Sequence, residues 1–178
     1  LVNAKLAGCR HFLTYEALEP RLALATLGLG DVGFTGFQSV TPDKVSLVLL
    51  KDVDSGTVLT VTDNGWNGSA LSSNEGNSVI TFNTAFAAGT QINYDANRTA
   101  GQRWATGSST ANISDNTGGG FSLAAGGDNL FVYNGSTAPT SGTSTSWVAA
   151  FATNPFQTTG AATSTQSYLP AVFAGTDA

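Results

Sequence analysis

Residues 31–62 read DVGFTGFQSVTPDKVSLVLLKDVDSGTVLTVT, and the apolar period in this stretch is two. Val32 and Phe34 alternate with Gly33 and Thr35, as on a strand with one buried face. Thr41-Pro42-Asp43 then carries a turn signal. Val45 to Val53 is rich in Val and Leu, and Asp54-Ser55-Gly56 leads into a second run, Thr57 to Thr62. Two β-rich runs joined by a short glycine turn predict a hairpin. The first run is apolar on both parities through Val48, Leu49 and Leu50, which predicts a central strand covered on both faces.

The same grammar continues downstream. Ala88-Gly89-Thr90 precedes Gln91 to Tyr94, and Gly126-Gly127-Asp128 precedes Asn129 to Tyr133, so each run starts at a glycine turn. Val79 to Phe82, Phe121 to Leu123 and Trp147 to Phe151 also read as strands, while Ala96 to Gly120 and Thr137 to Ser146 read as polar connections. Short strands with Gly, Asn and Ser punctuation, and no helical pattern after residue 27, predict an all-β fold, an antiparallel β-sandwich.

Composition limits the chemistry. Charged residues are 11% of the 178, against about 25% in ordinary soluble domains. Thr, Ser, Asn and Gly make 75 of the 178 residues, so hydroxyls and amides do much of the solvating. The net charge is -5, and residues 28–178 carry four cations, Lys44, Lys51, Arg98 and Arg103, against ten carboxylates. Four cations make a poor footprint for a phosphate backbone or an anionic lipid surface, so nucleic acid is not an expected partner. No apolar run reaches the length of a membrane-spanning helix. His11 and Cys9 stand alone in their residue classes, which excludes a His-based triad, a Cys-His dyad and a multi-His or Cys-rich zinc site from the body. Nine Asp and one Glu after residue 27 leave a carboxylate pair as the remaining acid/base option, and most of them sit at turn-like positions beside Gly or Asn. The expectation is a chain that is not an enzyme.

Residues 1–27 differ in character, mixing charge with leucine. Phe12 to Leu24 has helical spacing interrupted at Pro20. Ala23-Leu24-Ala25 has the small-x-small form of a signal-peptidase site, but Glu16, Glu19 and Arg21 occupy the place of an apolar core. Leu1 in place of an initiator Met predicts a fragment or a processed product. Leu18-Glu19-Pro20-Arg21-Leu22-Ala23-Leu24 resembles the LEPR-XLL segment near the N-termini of large exported bacterial proteins, with Ala23 departing from the family's first leucine. The resemblance implies an address tag outside the fold over residues 1–27, followed by a sandwich module over 28–178. A short amphipathic helix packed on the domain is the alternative.

The body resembles a module of bacterial secreted and surface proteins. The matching pieces are Gly30-Asp31-Val32 with Phe34 and Gly36, then Asp43, Leu49-Leu50, Ser55-Gly56-Thr57 and Thr62-Asp63-Asn64-Gly65-Trp66. Gly127-Asp128, Trp147 to Phe151 and Ser167-Tyr168-Leu169-Pro170 follow the same pattern. The resemblance implies an Ig-like or lamin-tail-like sandwich without assigned activity. It also implies a further strand past Pro170, so the chain is expected to lack its last strand and to expose an edge.

Two binding chemistries have candidate residues. Asp63-Asn64-Gly65-Trp66-Asn67-Gly68 matches positions 1, 5 and 6 of a calcium loop, with Asp63 and Asn67 as ligands. Position 3 is Gly65, and Glu75 falls one place beyond the bidentate position, so an EF-hand is excluded and only a different calcium site remains. The competing reading is a turn in which Asp63 and Asn64 close the strand end and Trp66 covers the sandwich edge. Trp66 and Trp104 are candidates for stacking on glycans, with Asn64 in the Trp66 turn as a further candidate contact, Trp104 being expected exposed in the polar stretch and Trp147 in the core. The leading expectation is a non-catalytic structural or adhesive module of a larger secreted or cell-surface bacterial protein, partnered by neighbouring domains of its own polypeptide. The alternatives are a carbohydrate- or calcium-binding module, or an accessory domain of an extracellular hydrolase.

Overall fold

The computed structural model describes residues 26–116, 120–163 and 165–175. Strands β1 (Val32–Gln38), β2 (Lys44–Leu49), β5 (Gln91–Asp95) and β6 (Trp104–Ala105) form one sheet in the order β1-β2-β5-β6. Strands β3 (Val58–Thr62), β4 (Asn77–Phe82), β7 (Ile113–Asn116), β8 (Asn129–Asn134) and β9 (Trp147–Ala152) form a second, ordered β7-β4-β3-β8-β9. Every pairing between these strands is antiparallel. A 3-10 turn at Ala171–Phe173 is the one helical element among the described residues. The chain is the all-β sandwich that its period-two patterning predicts.

Alternate residues meet between the sheets. Val45, Leu47 and Leu49 of β2 and Ile92 of β5 face Leu59, Val61, Ile80, Phe82, Leu130 and Val132, all without measurable solvent exposure. Each such side chain contributes about 1.5–3 kcal/mol on burial. A second apolar cluster lies on the far face of the five-stranded sheet: Trp66, Phe131, Tyr133 and Trp147, covered by Leu71, Phe156, Tyr168 and Val172.

That second cluster relocates the doubly covered strand. β2 is central in its sheet, between β1 and β5, as expected, but it alternates between buried and half-exposed positions and Leu50 is 57% exposed, so the expected covering of both faces at Val48–Leu50 is not there. β8 is the strand with Leu130 and Val132 toward one cluster and Phe131 and Tyr133 toward the other. The predicted hairpin also fails. β2 pairs with β1 and β5, β3 pairs with β4 and β8, and Asp54-Ser55-Gly56 carries the chain from one sheet to the other. Both runs have a fully buried face, so they pack face to face across the core, which edge pairing would prevent. β6 and β7 lie inside the stretch read as a polar connection, and Phe121–Leu123 is extended without belonging to a sheet. Leu27, placed in the tag by the sequence, is fully buried in the core. The LEPR-XLL-like segment, the helical reading of Phe12–Leu24, Cys9 and His11 lie outside the described residues.

Candidate functional site at the Asp63–Trp66 turn

β3 ends at Thr62, whose hydroxyl donates to the Gly76 carbonyl at 2.8 Å and accepts from the Asn64 backbone amide at 3.1 Å. The Asn64 side-chain oxygen accepts from the Glu75 amide at 3.0 Å, tying the 72–76 segment to the strand end. Gly65 permits a close approach, since a Cβ there would stand 3.0 Å from the Thr163 carbonyl. The next residue, Trp66, turns into the second cluster. Its ring meets the Trp147 ring edge-on, with centroids 5.3 Å apart at 83°, and its carbonyl accepts from the Tyr168 amide at 2.8 Å. Asn67 Oδ1 accepts from the Ser69 and Ala70 amides, both at 2.9 Å, closing an Asx turn.

Asp63 works toward the interior. Its Oδ2 accepts from the Ser122 amide at 2.8 Å, Asp43 Oδ2 accepts from Leu123 at 3.1 Å, and Asp128 Oδ2 accepts from Ala124 at 2.8 Å. The Tyr94 hydroxyl accepts from the Phe121 amide at 3.2 Å. An extended segment without a strand partner must find other acceptors for its amides, and carboxylates make the stronger bonds. Here four successive amides end on side chains from both sheets. The Phe121 ring packs on Tyr94, with centroids 4.4 Å apart, so the segment is held by burial as well.

These acids are crowded. Burial pushes the Asp63 carboxyl up to about 6, against the opposing pull of the Ser122 amide. Burial, followed by repulsion from Asp63 and Asp128, pushes Glu75 up to about 8. Asp128 is also raised, first by burial. Asp63 Oδ1 and Glu75 Oε2 are buried and accept no hydrogen bond among the described residues. Three of the described cations are occupied elsewhere: Lys44 pairs with Asp95 at 3.5 Å, Lys51 pairs with Asp31 at 3.4 Å, and Arg98 donates to the carbonyls of Asn93 and Arg103. Arg103 stands beside Gly120 with Nε and Nη1 buried and without a hydrogen-bond partner among the described residues, and burial raises the Tyr94 hydroxyl against the opposing pull of the Phe121 amide and of Arg103.

The predicted site residues therefore part company. Asp63 is buried toward the Ser122 amide, whereas the exposed Asn67 spends its oxygen on its own turn, so the two do not converge on a cation. Among the described residues no group of three or more His, Cys, Asp or Glu side chains is placed to hold a metal ion. Trp104, expected exposed, is 0% exposed on β6, with its indole N–H donating to Ser78 Oγ at 2.7 Å. Trp66 is 1% exposed, and Trp147 is buried as expected, so the sugar-stacking platform does not form. Trp104 belongs to the main core and Trp66 to the second cluster. Glu75 and Asp128 were legible as the lone body Glu and a turn Asp, but their meeting with Asp63 was not. A cleft of about 460 Å³ between β1 and β9 is lined by Leu29, Val32, Phe34, Val148, Phe151 and Phe173 together with Gly and Ala, and has no acid or base on its walls.

No family model, no curated protein and no solved structure matches this chain. Among the described residues no helix is long and apolar enough to cross a membrane.

Proposed function

We propose that the chain is a non-catalytic structural or adhesive module of a larger secreted or cell-surface bacterial protein, with neighbouring domains of the same polypeptide as its partners. The observation that carries this reading is the use made of the Asp63–Trp66 turn. Trp66 seals the second cluster, and Asn64 and Asp63 hold the 72–76 and 121–124 segments, so the groups that a binding module would present are spent on architecture. A hydroxyl-rich, weakly charged surface, and the resemblances to an LEPR-XLL segment and a TDNGW module, support the exported setting.

The test has two parts. The chain is applied to a glycan array and to a panel of glycoside, ester and peptide substrates, and intact bacteria expressing the full-length parent are shaved with protease. Neither retention nor turnover, together with loss of the module from intact cells, is the expected result. Specific glycan retention or turnover by the chain, or protection from protease in intact cells alone, overturns the reading.

A further inference from the structure

Gly120–Ala124 lies across one end of the sandwich like a strap, with Phe121 and Leu123 as the side chains that enter the core. Its amides end on Tyr94, Asp63, Asp43 and Asp128, so both sheets hold it. The loop that carries Glu75 touches the same strap: a Cβ at Gly76 would overlap the Gly120 carbonyl oxygen. Three acids gather at the strap: Asp63 at the end of β3 and Asp128 before β8 hold its amides, and the half-exposed Glu75, before β4, lies on the loop whose Gly76 carbonyl accepts from the Asp63 amide at 3.3 Å. Asp63 and Asp128 have no solvent exposure, yet Asp63 Oδ1 and Glu75 Oε2 accept no hydrogen bond among the described residues. Buried charges are stable when paired or when they take up a proton.

The groups facing this cluster from neighbouring elements do not pair it. Asp43, before β2, adds negative charge beside Asp128. Tyr94 of β5 accepts from the Phe121 amide. Asp115 of β7 accepts from the amides of Gly101 and Arg103. The Arg103 guanidinium stands by Gly120 on the Tyr94 side of the strap, with Nε and Nη1 buried and unpartnered among the described residues, and forms no ion pair with Asp63, Glu75 or Asp128.

We propose that Glu75 and Asp63 form a one-proton latch on the strap: the proton resides on Glu75, Asp63 and Asp128 stay ionised to hold the Ser122 and Ala124 amides, and deprotonation of Glu75 loosens the strap. Removing the proton leaves three mutually repelling carboxylates at one extended segment, and the segment's own amide bonds are the contacts that can yield. The Glu75 carboxyl, raised to about 8, sets the opening in the mildly alkaline range. Asp63, raised to about 6, is already ionised before Glu75 titrates, so the alkaline opening reports Glu75.

Hydrogen exchange of the 121–124 amides, corrected for intrinsic rate, tests this between about pH 6.5 and 9.5. The wild-type chain is expected to lose about tenfold of its protection as pH rises from about 7 to 9, while Glu75→Gln, which keeps shape and removes the charge, stays flat. A second measurement needs no variant: the Glu75 carboxyl carbon is titrated by NMR and is expected to have its midpoint near 8. Protection that is flat in the wild type, an undiminished fall in Glu75→Gln, or a Glu75 midpoint in the ordinary glutamate range each overturns the latch.

Discussion

Replacing Trp66 with Ala tests whether this ring is a structural seal. The ring is 1% exposed and packs on Trp147 with Phe131 and Tyr133 beside it. A side chain of this size buries about 150–250 Å², and at about 25 cal/mol per Å² the area sets a value of about 4–6 kcal/mol. Trp truncations in cores cost about 3–5 kcal/mol, the spread reflecting how far a site collapses. Leu71, Tyr168 and Val172 are only half-buried over Trp66 and can settle into the void, so about 3–4 kcal/mol is expected here. With a urea slope of about 2 kcal/mol/M, the unfolding midpoint drops by about 1.5–2 M. The loss should also be local first. Hydrogen exchange over residues 156–173 should rise ahead of β2, β3 and β8, because Phe156, Tyr168 and Val172 pack on the second cluster and not on the main core. A midpoint shift below about 0.5 M with an unchanged near-ultraviolet circular dichroism spectrum would refute the packing argument and return Trp66 to the list of ligand contacts.

Two further outcomes follow from burial and from charge. Leu49→Ala should cost about 2–5 kcal/mol in urea unfolding, while Leu50→Ala at its neighbouring exposed position should stay within about 0.5 kcal/mol; equal losses would mean that the register of β2 is wrong. Stability should fall as pH rises. Asp63 and Glu75 bind protons more tightly folded than unfolded, so their contribution is full below about pH 4 and is lost through about 6 and about 8. Solvent screening of the partly exposed Glu75 brings the loss to about 2 kcal/mol between about pH 5 and 9, or a melting temperature lower by about 4–8 °C. A melting temperature that rises over that interval would contradict the assignment of unpaired buried acids.

Strand existence was readable where the period is set by neighbouring residues. The runs at Val32, Val45, Thr57, Val79, Gln91, Asn129 and Trp147 all became strands, because alternation needs only one buried face and a turn at each end. Gly56 and Gly89, both at φ 87°, sit in turns that a side chain would strain, so their residue type already marked them. Trp104 was misread for the opposite reason. Its flanks, Gln102 and Arg103 before it and Thr106 and Gly107 after it, are polar, and nothing local announces that a two-residue strand will lay it beneath Tyr94 and Phe121.

The candidate site divides along the same line. The Thr62–Trp66 turn declared itself through residue types that close strand ends, and its hydrogen bonds within the 62–76 segment follow from that chemistry. Strand partners, the doubly covered β8 and the meeting of Asp63, Glu75 and Asp128 required the tertiary structure. Pairing and burial depend on which faces compete for the same apolar neighbours across the chain, and a carboxyl's charge depends on how far those neighbours exclude water. By itself the sequence determined an all-β, weakly charged chain with glycine turns, since these are properties of residues and their spacing. Only the folded arrangement decided that Trp66, Trp104, Asp63 and Asp128 face inward, because that is a property of contacts between distant segments.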